Sequence, residues 1–216
     1  MDAELLTLAF RIPFWFARKK YYIVRSDFDA AADAELVEPA REFRYRCISL
    51  ENPNGHKKFT RVDAALSGFL PYALRITIRK AMHAGGTLIT ATVPDNGQIA
   101  ACWVIYSATA ERNILALRSD ELYVGNSYVQ PAYRGLGLQA LTLQQGLRHL
   151  RVRNKGKHWV IAIVRPDNES SLRGLAKVGF RVEGTLVEQR IFRFVRLISG
   201  PDTRERSARL VFGNPL

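Results

Sequence analysis

Arg134, Gly135 and Gly137 stand in the stretch YVQPAYRGLGLQA, residues 128–140, between a Tyr- and Val-rich run and leucines at near-helical spacing (Leu138, Leu141, Leu147, Leu150). This is chemistry for holding phosphate. A helix N-terminus carries unpaired N–H groups and positive potential, glycines let a ligand reach the backbone, and Arg134 adds a permanent charge. Pro131 lacks the N–H a continuing ladder needs and ends the strand. A P-loop would need Lys and then Ser or Thr after the last glycine; Leu138 and Gln139 stand there and exclude it. Gly135, Gly137 and Ala140 fit a dinucleotide fingerprint, whose first glycine follows its strand directly. Here Pro131–Arg134 intervene, and dinucleotide binding is the runner-up.

A second cassette, NESSLRGLAKVGF from Asn168 to Phe180, predicts a short helix with Asn168 as N-cap and Gly179 as left-handed C-cap. The loop Arg134-Gly135-Leu136-Gly137-Leu138-Gln139 and the spacing Asn168, Ser171, Lys177, Gly179-Phe180 together resemble the Gcn5-related N-acetyltransferase (GNAT) superfamily, over about Gly85 to Phe194. The resemblance implies a mixed α/β fold: a mostly antiparallel twisted sheet flanked by helices, with a splayed strand pair forming the acyl-CoA cleft. It implies acetyl-CoA or another acyl-CoA as co-substrate, its pyrophosphate held by backbone N–H groups from Arg134 to Ala140. It also implies pantetheine aligned near Tyr128 and Val129, and coenzyme contacts from Asn168 and Ser171. The chain departs from the pattern at Gln139, where the motif has Gly or Ala, and at Leu175, where many members carry a Tyr general acid. A thiol of pKa ~8.5 is a tolerable leaving group without that phenol. The version with Ser171 and Lys177 resembles the branch of ribosomal-protein N-terminal acetyltransferases and sugar-acetylating relatives; a pseudo-enzyme is the alternative.

For catalysis the resemblance offers Glu121 as base, often through water in relatives, and Tyr128. The alternatives are a solvated strand-end carboxylate and aromatic packing. Alternation puts Glu121 and Tyr123 on one face and Asn126 and Tyr128 on the other, provided no bulge intervenes. The segments KKYYIVRSDF and VQPAYRGLGL are also similar to bacterial acetyltransferase-like proteins of polysaccharide pathways, which implies an amino-sugar acceptor; with Leu175 in place of the Tyr and no His in the second cassette, an acceptor amine of lowered pKa is expected. The alternative is a peptide or protein amine (an α-amine, Lys or ornithine), with a longer acyl chain if the Leu175 side is roomy.

The chain's 216 residues, 47% of them hydrophobic, suffice for one sizeable core and are expected to form one domain. Of the net charge of +12, residues 134–216 carry +10 (16 Lys and Arg against 6 Asp and Glu). That basic half suits a polyanionic coenzyme, an anionic substrate or an acidic membrane face, or simply a solvated surface. No zinc-finger, homeodomain or RNA-recognition signature accompanies it, and sequence-specific nucleic-acid binding is not expected. Cys47 and Cys102 are too few for a disulfide framework, and the four histidines lack ligand spacing; buried free thiols and no metal are expected. Without a signal-peptide pattern or a bilayer-length apolar run, cytoplasmic residence is expected. The apolar start through Phe16, followed by Arg18, Lys19 and Lys20, can dock as a helix on the core, which is favoured, or contact an anionic membrane peripherally.

The elements that must position these residues can be read in order. Lys20–Arg25 and Phe43–Leu50 read as strands around a helix at Asp29–Glu35, with a turn at Asn52–Gly55. A helix-biased run from Asp63 to Ala84, broken at Pro71, is expected on the acceptor side. Thr87–Val93 and Gln98–Ser107 form a hairpin through Asn96-Gly97. Asp120–Val129 leads into the phosphate loop, and its helix runs to the stop at Asn154–Gly156. Trp159–Val164 is a further strand, Phe180–Val182 and Val187–Val195 close the fold, and the tail from Ser199 is expected to be loosely held.

Overall fold

The computed structural model describes residues 16–50, 59–60, 63, 66, 70–106, 117–191, 194–199 and 210–212. The apolar segment before Phe16 and the Asn52–Gly55 turn lie outside these residues. Among the described residues one sheet of nine strands runs in the order β2-β3-β4-β5-β6-β1-β7-β8-β9. The strands are β1 (Phe16–Asp27), β2 (Arg44–Ser49), β3 (Thr87–Thr92), β4 (Ile99–Tyr106), β5 (Glu121–Val129), β6 (Trp159–Val164), β7 (Arg181–Ile191), β8 (Phe194–Ser199) and β9 (Leu210–Phe212). Among the described residues, the α-helices described from end to end are α1 (Phe28–Asp33), α2 (Tyr72–His83), α3 (Leu138–Arg151) and α4 (Glu169–Ala176).

Burial follows the sequence pattern. Every residue of IAACWVIY in β4 is buried, because helices cover both faces of this central strand. On one face, Val24, Trp103, Leu122 and Val124 pack with Leu143 and Leu147 of α3 and Leu175 of α4. On the other, Leu88, Cys102 and Val104 pack with Ile78 and Met82 of α2. Polar ties fasten α1 to α3: Arg148 Nε donates to the Ala32 carbonyl at 2.7 Å, and Arg151 pairs with Asp29 and Asp33 at 3.1 and 2.7 Å. α2 ends ahead of Gly85-Gly86, Gly85 taking φ 81°.

Three features depart from expectation. The strand expected from Lys20 to Arg25 is longer and lies inside the sheet, antiparallel to both β6 (Tyr22↔Val164) and β7 (Tyr21↔Leu186). The two closing strands expected at Phe180–Val182 and Val187–Val195 are joined through Gly184 into a single strand, β7, and β8 follows it as a further strand. The tail expected to be loose supplies β9, with Phe212 paired to Phe194. A buried strand is held by neighbours on both edges, so the sheet's second half depends on β1.

Ile23, fully buried between Ile161 and Leu186, is the position that tests this dependence. Ile23→Ala is expected to lower unfolding free energy by about 2–5 kcal/mol in urea titrations, the cost of a large-to-small change in a packed core.

Candidate active site

The site begins where two strands stop pairing. β5 and β6 are parallel for only three partners, Glu121↔Trp159, Leu122↔Val160 and Tyr123↔Ile161. Beyond them the strands part, and a cleft of about 250 Å³ opens between Val124–Ser127 on one wall and Ala162–Arg165 on the other. A bulge shapes the β5 wall. Cys102 pairs with Tyr128 but Val104 with Gly125, so Asn126 and Ser127 together face Trp103, and Asn126 takes φ 52°.

The bulge corrects the expected alternation. Tyr128 packs on the same α2 face as Tyr123 instead of opposite it. Asn126 joins them, its side-chain amide donating to the Tyr106 hydroxyl, and the Tyr106 and Tyr123 rings lie 5.6 Å apart. Burial pushes the Tyr123 phenol up to about 12, with the neighbouring Tyr21 adding to the rise. Tyr106 is raised too, by burial first and Tyr123 second, against a lowering contribution from Asn126. Both are therefore neutral hydroxyls near pH 7. Gly125 keeps this cluster compact, since a Cβ there would stand 2.9 Å from the Tyr123 ring.

On the opposite face, α3 presents its N-terminus at the end of β5. Gly137 is its N-cap at φ 72°, with no side-chain cap and no acidic residue in the first turn. Gly135 is also left-handed at φ 84°, and a Cβ built on either glycine meets nothing within 4 Å. The glycines thus serve the turn's backbone and leave its outer surface open to a ligand. Arg134, exposed at the mouth, donates from Nε to the Val129 carbonyl at 3.4 Å. Leu136 is exposed at the loop tip, while Leu138 and Ala140 are buried anchors for the helix. Uncapped N–H groups, open glycines and one fixed cation fit a pyrophosphate. The β5 edge freed beyond Tyr123 offers main-chain partners to an extended amide-bearing arm.

Asn168 and Ser171 line the same cleft. Asn168 Oδ1 caps α4 by accepting from the Ser171 backbone N–H at 3.2 Å, and Gly179 adopts the left-handed cap at φ 81°. Gln139, the departure from the loop motif, leaves both loop glycines left-handed. Its side-chain nitrogen donates to Ser171 at 2.9 Å and Ser127 at 3.4 Å, so it joins the cleft walls from behind. Its backbone carbonyl accepts from Trp103 Nε1 at 2.8 Å. Gly174 makes room for this amide, as a Cβ there would stand 2.4 Å from Gln139 Oε1.

Glu121 is fully buried, accepts from the Arg118 backbone N–H at 2.8 Å, and is not among the cleft-lining residues. It holds the turn that enters β5, so it is no solvated strand-end carboxylate. Cys102 is buried and its thiol pushed up to about 12 by burial; Cys47 is half-buried, short of the expected full burial, and raised to about 11. Sequence reasoning missed Tyr21, Trp103, Tyr123 and Asn126. Gly125-Asn126 inside a strand is a bulge signal that could have flagged the last two; nothing in the sequence marks Tyr21.

The sequence model of the acetyltransferase (GNAT) family matches residues 40–180. The chain belongs to that family, an enzyme family whose membership implies acyl-CoA-dependent acyl transfer. Solved structures share the fold. One is a tandem GNAT protein from the clavulanic acid biosynthesis pathway, with TM-score 0.58 and 15% identity over 93% of this chain and 60% of that one. Another, from Staphylococcus epidermidis and of unknown function, has TM-score 0.55 and 11% identity over 89% of this chain and 68% of that one. A GNAT-family acetyltransferase from Colwellia psychrerythraea has TM-score 0.51 and 13% identity over 88% and 62%. The chain thus spans about two thirds of these structures' length or less. No curated protein sequence matches it. Among the described residues no helix is long and apolar enough to cross a membrane, and no three His, Cys, Asp or Glu gather as a metal site.

The Gln139–Gly174 contact yields a double-mutant prediction. In the native background Gly174→Ala must displace the Gln139 amide, cancelling the ~1 kcal/mol that Ala gains over Gly in a helix. In a Gln139→Ala background that gain is expected to appear. Urea unfolding of the four proteins should give a coupling of about 0.5–3 kcal/mol.

Proposed function

We propose that this chain, acting as one domain, transfers an acetyl or other short acyl group from coenzyme A to a primary amine, with an amino sugar as the favoured acceptor. The carrying observation is the passage through the sheet where β5 and β6 part: the glycine loop at the α3 N-terminus flanks it on the α3 face and a polar aromatic pocket on the α2 face. In this reading Arg134 and the backbone N–H groups from Gly135 to Gln139 hold the pyrophosphate, while the Ala140 N–H, expected to join them, is taken by the Gly137 carbonyl at 3.0 Å. The open β5 edge around Tyr128 and Val129 aligns the pantetheine arm, and Asn168 and Ser171 contact it from α4. The coenzyme supplies the activated thioester.

The acceptor side supports a polyhydroxylated amine. Tyr21, Tyr106, Tyr123 and Asn126 offer neutral donors and acceptors beside ring faces, a mixture suited to a small ring bearing hydroxyls. The cleft's ~250 Å³ lies below the 300–1,000 Å³ of sites for drug-sized ligands, and Leu175 at its side is fully packed, which supports a short acyl group over a fatty one. Tyr128, on the acceptor face, serves here by ring packing and main-chain alignment, and Glu121 by securing the β5 entry.

Calorimetric titration with acetyl-CoA tests the reading. Gly137→Val is expected to keep the fold, at about 1–2 kcal/mol of left-handed strain, and to lose at least about tenfold in coenzyme affinity as the side chain obstructs the loop. Unchanged affinity in the folded variant refutes the coenzyme site, and tight binding of a nicotinamide dinucleotide instead favours the runner-up. Thiol release with glucosamine, a peptide α-amine and a Lys peptide then ranks acceptors; exclusive use of the Lys peptide overturns the amino-sugar assignment.

A further inference from the structure

If the chain acylates an amine, a proton must leave the nitrogen, and the cleft wall holds no carboxylate among its described residues. Glu121 is committed to the backbone at the base of β5. Asp167 and Glu169, on either side of Asn168, are engaged by Arg165 and Arg173. Tyr123 is half-buried against Tyr106 beside an apolar cluster, and desolvation opposes its ionisation. Tyr21 differs from all of these. It reaches the cleft from β1, one residue past the last pairing of β1 with β6 at Tyr22↔Val164. Its hydroxyl donates to Glu188 Oε2 on β7 at 3.0 Å. The cleft is therefore connected to a carboxylate through one phenol.

We propose that Tyr21 and Glu188 form a proton relay that deprotonates the acceptor amine, an inference that rests on the acyl-transfer reading above. An ammonium N–H proton passes to Tyr21 Oη as the Tyr21 proton passes to Glu188 Oε2. The freed lone pair forms the C–N bond while the thioester C–S bond breaks. The thiolate collects the remaining excess nitrogen proton through water, and Glu188 returns its proton to solvent. Tyr21 is the group that touches the acceptor, and Glu188 acts through it. Among the described residues, Tyr123 from β5 and Ile163 from β6 stand beside Tyr21, and Glu188 is paired in register with Lys19 on β1 and Leu197 on β8. The relay matters even for an amine of pKa ~7.7 to 8.0, which is still mostly protonated at pH 7.

Tyr21→Phe and Glu188→Gln test it, each removing one relay atom while keeping the side chain's shape. Acetyl-CoA and glucosamine are the substrates, thiol release the readout, and calorimetry with coenzyme A the control for an intact fold and loop. Both variants are expected to bind coenzyme A like the native protein, to keep KM, and to lose about 10²- to 10⁴-fold in kcat at pH 7. The deficit should shrink steadily toward pH 9, where the amine arrives neutral. Native-like kcat in either variant at pH 7, or a deficit that stays constant with pH, overturns the relay. Native protein that binds coenzyme A but acylates none of glucosamine, a peptide α-amine or a Lys peptide overturns the acyl-transfer reading and the relay with it.

Discussion

A parallel strand pair three partners long is the constraint on which this structure turns. Had β5 and β6 paired along their whole length, the sheet would be sealed and the main-chain groups beyond Tyr123 consumed. Two features keep it open. The bulge at Asn126 and Ser127 redirects β5, and β1 fills the far edge of β6. Behind the gap, Trp103, Gln139, Ser127 and Ser171 form a polar brace that fixes how far the walls stand apart. Unpaired strand edges are costly to leave buried and ready to accept a partner, so a cleft held this way is preorganised for a ligand with amides of its own.

The sheet then divides the work between its faces. The α3 face collects what an anion needs: uncapped helix N–H groups, left-handed glycines and Arg134. The α2 face collects phenols and an amide. Only a passage through the sheet lets groups from both sides address one bond, which is why the short pairing and the two-sided helix cover belong together.

Legibility in the sequence followed the range of the interactions. Local signals were fully readable: the Asn96-Gly97 hairpin, the Gly135/Gly137 loop, and the Asn168 and Gly179 caps of α4 are chemistry within a few residues, and each lies where the spacing placed it. The bulge was half readable. Gly125 inside a strand is a warning, but the side to which Tyr128 turns depends on register with β4. The partners of β1 were not readable at all, because KKYYIVR fits any half-buried strand position and its neighbours come from more than a hundred residues further along. Glu121 looked exposed because a strand-end acid usually is; its burial depends on the Arg118 turn folding back over it.

The placement of β1 also sets an order of events during synthesis. Tyr22 must wait for Val164, and Tyr21 for Leu186, before either finds its neighbour in the sheet. Contacts that span so much chain carry a large loop-closure cost and form slowly. The loop at Gly135 and Gly137 and its helix are local and can assemble while the chain is still emerging, but the wall bearing Tyr21 cannot. A nascent chain would therefore form the α3 loop before the cleft, and in that interval β1, with both of its edges bare, is the strand most in need of protection from other strands.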